Sequence, residues 1–434
     1  MTTSSGPTGF LGLSHLGIIS SAGWSSFGQP TIAVHPDEDL ISRLGRGDLP
    51  IHEPGLPELL QRSRDCLTFS ADLSSLSQCP LVIVSLDVPT DEHNVSSVEA
   101  VPRLIDAAAP HLRQDVILVV MSQVQPGFTR ALGQRLRSSR PDLSFQLYYL
   151  VETLIFGDAV RRCLEPERFI VGCADPRVEL PAVWAEGLKR FGCPILPMRY
   201  ESAELTKTAI NLYLIGSVTY ANTLSNLCES IGADWSEMTP ALKLDARIGP
   251  AAYLKPSLGI AGGNLERDLV TLRDLCEAHD QDASYLEALI EFNARRLEWV
   301  QRKVEQLVFA EGSSKPTLAI WGLTYKKDTR STKNSPALRL LPSLASRATL
   351  RAWDPAIGAA EVDLPVDFAS DRDDALRGAD GVLIMADWDQ FAEADLDRIR
   401  RDMRRPLVLD CVGVLERRRA EMDGIEYVTM GIGA

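Results

Sequence analysis

The sequence predicts an α/β chain: two domains with parallel sheets, joined by a long-helix central domain. Three observations carry this. Over residues 7–200 short apolar runs alternate with longer amphipathic stretches; from about 200 to 305 apolar residues recur at helical spacing; after a polar linker, "EGSSKPT" (311–317), the alternation returns. A β-then-α rhythm places helices on both faces of a mostly parallel sheet. The expected parts are 1–200, 201–310 and 311–434.

The elements follow in order. "TGFLGL", "TIAVH", "LVIVSL", "DVILVVM" and "FIVGC" are strand-like, rich in β-branched residues or bounded by turn formers. Between them, 99–112 and 128–137 have helical patterning. "ESAELTKTAINLYLIGSVTYANTLSNLCESIG" (201–232) reads as one long helix closing on a glycine, with more helix-like sequence at 267–307. "LAIWGLTY", "TLRAWDP", "GVLIMA" and "PLVLDCVGVL" are the strands of the last domain. The segment 356–434 carries no motif beyond this alternation.

Bulk properties exclude several classes. The 434 residues carry a net charge of −14, which argues against phosphate-mediated nucleic-acid binding. No apolar run reaches the roughly 18 residues of a membrane span, and "MTTSSGPTGF" lacks the basic and apolar regions of a signal peptide. Eight cysteines (66, 79, 163, 173, 193, 228, 276, 411) form no CxxC pair. They read as reduced thiols of a cytoplasmic protein. Six scattered histidines without metal-ligand spacing predict no metal.

"GLSHLG" (12–17) lies between a strand and a helix and matches G-x-G-x-x-G with Ser14 in place of the middle glycine. Gly12 permits the tight turn and Gly17 the close packing of helix on strand. With Ser14, His15 and Leu16 they would offer a helix N-terminus to a pyrophosphate. Ser14 adds a Cβ where phosphate must approach. The next strand should end in an acid for the ribose hydroxyls, but ends in His35, with Asp37 two residues on. No arginine stands there for a 2′-phosphate, so the expected cofactor is NAD.

"RGDLPIHEPGLPELL" (46–60), together with this turn, resembles the UDP-glucose/GDP-mannose dehydrogenase family. "ESAELTKTAIN" (201–211), "LDARIGPAAYLKPSLGIAGGNLERD" (244–268) and "LAIWGLTYKKDTRSTKNSPAL" (318–338) agree with it in order and spacing. The resemblance implies two Rossmann-like domains about a long helix, a homodimer, NAD, and a UDP- or GDP-linked sugar. The family's usual reaction oxidises a C6 alcohol twice, holding the aldehyde as a cysteine thiohemiacetal and then hydrolysing a thioester.

Residue by residue, the resemblance assigns Lys207 and Asn211 to the catalytic pair, one turn apart on a helix face. Lys207 would stabilise an alkoxide or take its proton. It makes Asp268 an acid partner of that lysine, and Glu152, in "LVETLIFG" (150–157), a catalytic glutamate flanked by Thr153 and Leu154 at the substrate. Arg247, Tyr253, Gly259, Lys326 and Lys333 match sugar-nucleotide positions, Arg247 one often supplied by the neighbouring subunit. Lys326 with Lys327 could equally be a solvated pair. Val88, Pro89 and Gln123 fall at the cofactor. His15 reads as a helix-start residue, and Glu53 and Pro54 as shaping a loop over the cofactor.

The departures converge. Asn264 stands where the cysteine should be, Phe156 replaces a second glutamate, Gln123 a threonine, and Val88 the threonine of a "TP" pair. An amide cannot act as the nucleophile, because its nitrogen lone pair is delocalised. The losses fall on the second oxidation and spare Lys207, Asn211 and Asp268. The expectation is one two-electron oxidation, of a sugar carbinol to a ketone or aldehyde. In this the chain is similar to the nucleotide-octose 6-dehydrogenases of lincosamide antibiotic biosynthesis. An NAD-retaining epimerase, an acid-forming dehydrogenase and a non-catalytic binder remain as alternatives.

Overall fold

The computed structural model describes residues 6–310 and 315–433, apart from 92, 93 and 95. Residues 1–5 and 311–314, the latter most of the expected linker, lie outside the described residues. The chain forms two compact units, Met1–Ile210 and Asn211–Ala434.

The first unit is built on an eight-stranded sheet: β1 (Thr8–Leu11), β2 (Thr31–Val34), β3 (Leu67–Ser70), β4 (Leu81–Val84), β5 (Val116–Val120), β6 (Phe145–Leu150), β7 (Phe169–Cys173) and β8 (Ile195–Arg199). Their spatial order is β3-β2-β1-β4-β5-β6-β7-β8. β1 pairs in parallel with β2 and β4, aligning Leu11 with Val34 and with Val84. β6 and β7 run antiparallel. Every residue of β1, β4 and β5 is buried, which is why these strands read as unbroken apolar runs. Strand order reverses between β1 and β4, so a crevice opens beyond their carboxyl ends, where such sheets bind ligands.

In the first unit, three strands lie outside those read from the sequence: the edge strands β3 and β8, with partly exposed residues, and β6, "FQLYYL", whose first two residues are not buried. Helix α1 (His15–Ser25) follows the glycine turn and is buried at every residue after His15. α2 (Glu38–Gly45) is capped by Asp37, whose side chain accepts from the Leu40 N–H at 3.0 Å. The helix expected over 99–112 spans Ala100–Ala108 and tightens to a 3₁₀ turn over Ala109–His111, which contains Pro110.

α3 (Tyr200–Ile231) is the expected long helix, 32 residues, ending at Gly232 with φ +74°. In the second unit, 267–307 resolves into α4 (Asn264–Ala278), α5 (Ser284–Ala294) and α6 (Glu298–Val304), with a 3₁₀ turn over Arg295–Leu297. The second sheet comprises β9 (Thr317–Trp321), β10 (Thr349–Trp353), β11 (Asp367–Phe368), β12 (Gly381–Ile384), β13 (Leu407–Asp410) and β14 (Glu426–Thr429). Its order is β11-β10-β9-β12-β13-β14, with every pair parallel. Among the described residues, no helix is long and apolar enough to cross a membrane, and no group of three or more His, Cys, Asp or Glu could hold a metal.

Candidate active site

The glycine turn has the steric form a dinucleotide needs. Gly12 has φ +98°, and a Cβ on Gly17 would stand 1.9 Å from the Gly12 carbonyl oxygen. Ser14, the departure from the motif, has a partner from the end of β4: its Oγ accepts the Asp87 N–H at 2.8 Å. The Asp87 carboxylate in turn accepts the Leu16 N–H at 3.0 Å. An exposed carboxylate therefore sits on a first-turn donor of α1, where an anion binds a helix N-terminus. The sequence analysis singled out the adjacent Val88 and Pro89 but not Asp87, and no sequence signal ties that acid to a turn 71 residues away.

His35, at the position where the ribose acid is expected, is tied to the glycine turn. Its Nδ1 accepts the Leu13 N–H at 3.2 Å, which ties the end of β2 to the turn. Burial pushes its pKa below the ordinary histidine value, so the ring that accepts this bond is neutral. Asp37 is spent partly on capping α2.

Glu53 does more than shape a loop. Fully buried in its side chain, it pairs with His15 Nε2 at 2.9 Å and accepts the Gly157 and Ala159 N–H groups at 3.1 and 2.8 Å. The Phe156 ring lies 4.2 Å from the His15 ring. Where the resemblance calls for a second glutamate, this chain thus has an aromatic cover over the turn's histidine.

Lys207 and Glu152 form a largely buried ion pair. Lys207 Nζ lies 2.9 Å from Glu152 Oε1, with the side chains 13% and 15% exposed. Glu152 also accepts the Leu154 N–H at 3.0 Å, fixing its rotamer, and the Thr153 carbonyl accepts from Arg162 Nε at 2.6 Å. Val88 is buried, Pro89 exposed and Gln123 half-buried.

In the second unit Asn211 Nδ2 donates to Asp268 Oδ2 at 2.5 Å, and Arg267 Nε pairs with Asp268 Oδ1 at 3.1 Å; all three are buried. Within the first unit Lys207 pairs with Glu152; within the second, Asp268 is bound by Asn211 and by Arg267, a residue the motif reading passed over.

The glycine loop leading into α4 is held from several sides. Gly259 has φ +97°, and a Cβ there would lie 2.3 Å from Asn293 Oδ1, which accepts the Ile260 N–H at 2.7 Å. The Lys333 carbonyl accepts the Gly262 N–H at 3.1 Å, and the Lys333 side chain packs against Gly263. Lys326 Nζ lies 5.7 Å from the Tyr325 ring, which itself packs on Gly262. Glu266 accepts the Gly263 N–H at 3.0 Å and closes the first turn. Asn264 is the first residue of α4 and is exposed. Arg247 and Tyr253 are exposed; Arg247 pairs with Asp245 at 2.7 Å.

Models of the UDP-glucose/GDP-mannose dehydrogenase family match in sequence order: the NAD binding domain over residues 8–186, the central domain over 201–295 and the UDP binding domain over 319–417. The chain belongs to the UDP-glucose/GDP-mannose dehydrogenase family. It is an NAD-dependent dehydrogenase acting on a CH–OH group of a nucleotide sugar. It is 28% identical to the UDP-glucose 6-dehydrogenase TuaD of Bacillus subtilis, over 97% of this chain and 92% of that one. It is 29% identical to a UDP-glucose 6-dehydrogenase of Pseudomonas aeruginosa, over 98% and 96% of the two chains. In fold it matches a UDP-glucose dehydrogenase of Pyrobaculum islandicum with a TM-score of 0.85 at 23% identity, over 98% of this chain and 97% of that one.

Proposed function

We propose that this family member performs a single two-electron oxidation of a nucleotide-sugar carbinol, at C6, giving a ketone or an aldehyde without forming a thioester. The observation that carries it is Asn264, exposed at the start of α4, in a glycine loop whose residues 257–268 contain no cysteine. An amide offers no lone pair to a carbonyl carbon.

The retained groups suit the first oxidation alone. NAD, when bound, supplies the two-electron acceptor. The glycines at 12 and 17 leave room for its pyrophosphate, and the first turn of α1 supplies donors once Asp87 moves aside. Lys207 stabilises the alkoxide or takes the hydroxyl proton, and Glu152 holds its ammonium in place. Asn211, oriented by Asp268, donates a hydrogen bond to the substrate oxygen. Arg247, Tyr253, Gly259, Lys326 and Lys333 belong to the sugar-nucleotide contacts, and UDP is the preferred carrier because a UDP binding domain is what residues 319–417 match. Residues 1–200, 201–310 and 311–434 then act as cofactor, helical and nucleotide-sugar domains.

The reading includes a homodimer. Tyr213, Tyr220, Leu227 and Ile231 are exposed on α3 at spacings of seven, seven and four, a seam a second copy can cover. Light scattering coupled to gel filtration tests it: twice the 47.7 kDa chain mass is expected, and a monomer overturns it.

The test of the reaction is stoichiometric. Purified protein and NAD are incubated with UDP-, GDP- and CDP-linked hexoses, heptoses and octoses, counting NADH per sugar consumed. One NADH and a product two mass units lighter are expected. Two NADH and a carboxylate overturn the reading, and an altered sugar with no net NADH replaces it with an epimerase.

A further inference from the structure

Among the described residues, Arg296 is a buried cation with no ion-paired carboxylate. It is 5% exposed, at the 3₁₀ turn between α5 and α6. Its guanidinium donates to the Ser257 carbonyl at 2.7 Å, to Asn226 Oδ1 at 2.8 Å and to Met430 Sδ at 2.6 Å. All three acceptors are uncharged. Burial pushes its pKa down to about 10, still protonated at neutral pH. Glu229, a carboxylate that acts on it at longer range, is already engaged by Lys303 at 2.9 Å and by Trp299 Nε1 at 2.8 Å. Buried charges are normally paired, because removing a lone ion from water is strongly unfavourable. Among the described residues, three neutral acceptors serve five guanidinium protons, with the Trp299 ring 6.0 Å away.

The missing partner has a place to bind. Arg296 lines an open cleft of about 280 Å³ together with Asn222, Asn226, Arg295, Trp299 and Arg302. Arg295 and Arg302 are exposed at its edge, each facing a glutamate one helical turn away, Glu291 and Glu298. Such surface pairs contribute little and re-form readily around a stronger anion. The cleft thus joins one buried and two exposed guanidinium groups to amide side chains and an aromatic wall.

We propose that this cleft is a binding site for a small oxyanion-bearing ligand, a carboxylate or a phosphate monoester, with Arg296 as its buried counter-charge. A guanidinium is suited to both, since its fork matches two oxygens. The site is coupled to the glycine loop. Arg296 holds the Ser257 carbonyl and Asn222 Oδ1 accepts the Ser257 N–H at 2.8 Å, so both fix the residue from which that loop departs. Occupancy stiffens the loop that carries Asn264.

The probes are inorganic phosphate and malonate, titrated by calorimetry and thermal unfolding against sodium chloride at equal ionic strength. A saturable rise in Tm with either oxyanion, absent with chloride, is expected; the stronger ligand tells phosphate from carboxylate. Asn226→Asp places a carboxylate where Asn226 Oδ1 already meets the guanidinium. This variant is expected to be more stable than the parent without ligand and to bind the oxyanion at least tenfold more weakly. Arg302→Gln, at the exposed edge, should weaken binding a few-fold without affecting folding. Phosphate held at the dinucleotide turn would survive Asn226→Asp, so binding unchanged in that variant overturns the proposal, as does the lack of any saturable effect.

Discussion

Lys207 Nζ and Glu152 Oε1 stand 2.9 Å apart, and both side chains are more than four-fifths buried. A lysine on a long helix and a glutamate just after β6 come together although 55 residues separate them in sequence. Two charges at that depth hold each other in one geometry, as a group that must meet a developing alkoxide requires.

Lys207→Met keeps the volume and removes the proton acceptor. The kcat is expected to fall by about 10²- to 10⁴-fold, while NAD affinity, read by calorimetry, stays within a factor of about two. Activity within tenfold of the parent would remove Lys207 from the chemistry. Glu152→Gln should lower kcat less, because the lysine remains but is no longer held.

How much of this was readable varies by element. The buried strands β1, β4 and β5 were legible because a parallel strand covered on both faces reads as an unbroken apolar run. The edge strands β3 and β8 were not, because exposure dilutes that pattern. The glycine turn and the long helix were legible through local backbone chemistry. Asp87 on Leu16, Arg267 on Asp268 and Asn293 on the glycine loop were not. Each depends on a contact made in three dimensions, and neither composition nor periodicity encodes which surface carboxylate lands on which N–H.

Asp87 gives the second prediction. Its carboxylate occupies the Leu16 N–H, a position suited to a pyrophosphate oxygen. A carboxylate at a helix N-terminus contributes about 0.3–1 kcal/mol, so displacing it is inexpensive, but its charge also opposes the incoming phosphates. Asp87→Ala is expected to tighten NAD binding by about 5- to 20-fold, with a loss in Tm of no more than a few degrees. The gain should shrink at high salt, since the repulsion is screened. Weaker NAD binding in this variant would mean that Asp87 itself helps to hold the cofactor.

Asn264→Cys tests the logic of the missing thiol. The residue begins a 15-residue helix and is exposed, and a helix N-terminus lowers a thiol pKa. Alkylation by iodoacetamide, followed against pH by mass spectrometry of the peptide, should give an apparent pKa for this cysteine below the free value of about 8.5. The background is favourable: burial pushes the thiols of Cys79, Cys163, Cys173, Cys193, Cys228 and Cys411 upward. The variant is still expected to form one NADH per sugar when the product is a ketone, which has no hydrogen left to lose as hydride. A second NADH would identify an aldehyde as the parent's product.

His35 supplies a pH signature in stability. Its pKa is lowered in the folded protein, by burial first and against a smaller opposing effect of Asp37. The folded chain therefore binds this proton less readily than the unfolded chain. Stability from the neutral ring is fully present above the unfolded value of about 6.5 and is lost as pH falls below it toward the folded pKa. The loss is structural as well, because a protonated Nδ1 can no longer accept the Leu13 N–H. His35→Asn places an amide oxygen near the same position and does not titrate. Chemical denaturation at pH 7.5 and 5.5 should show the parent losing more stability than the variant across this interval, with the two differing least at pH 7.5. Parallel losses in both proteins would show that other groups carry the acid sensitivity and that the Leu13–His35 bond does not depend on a neutral ring.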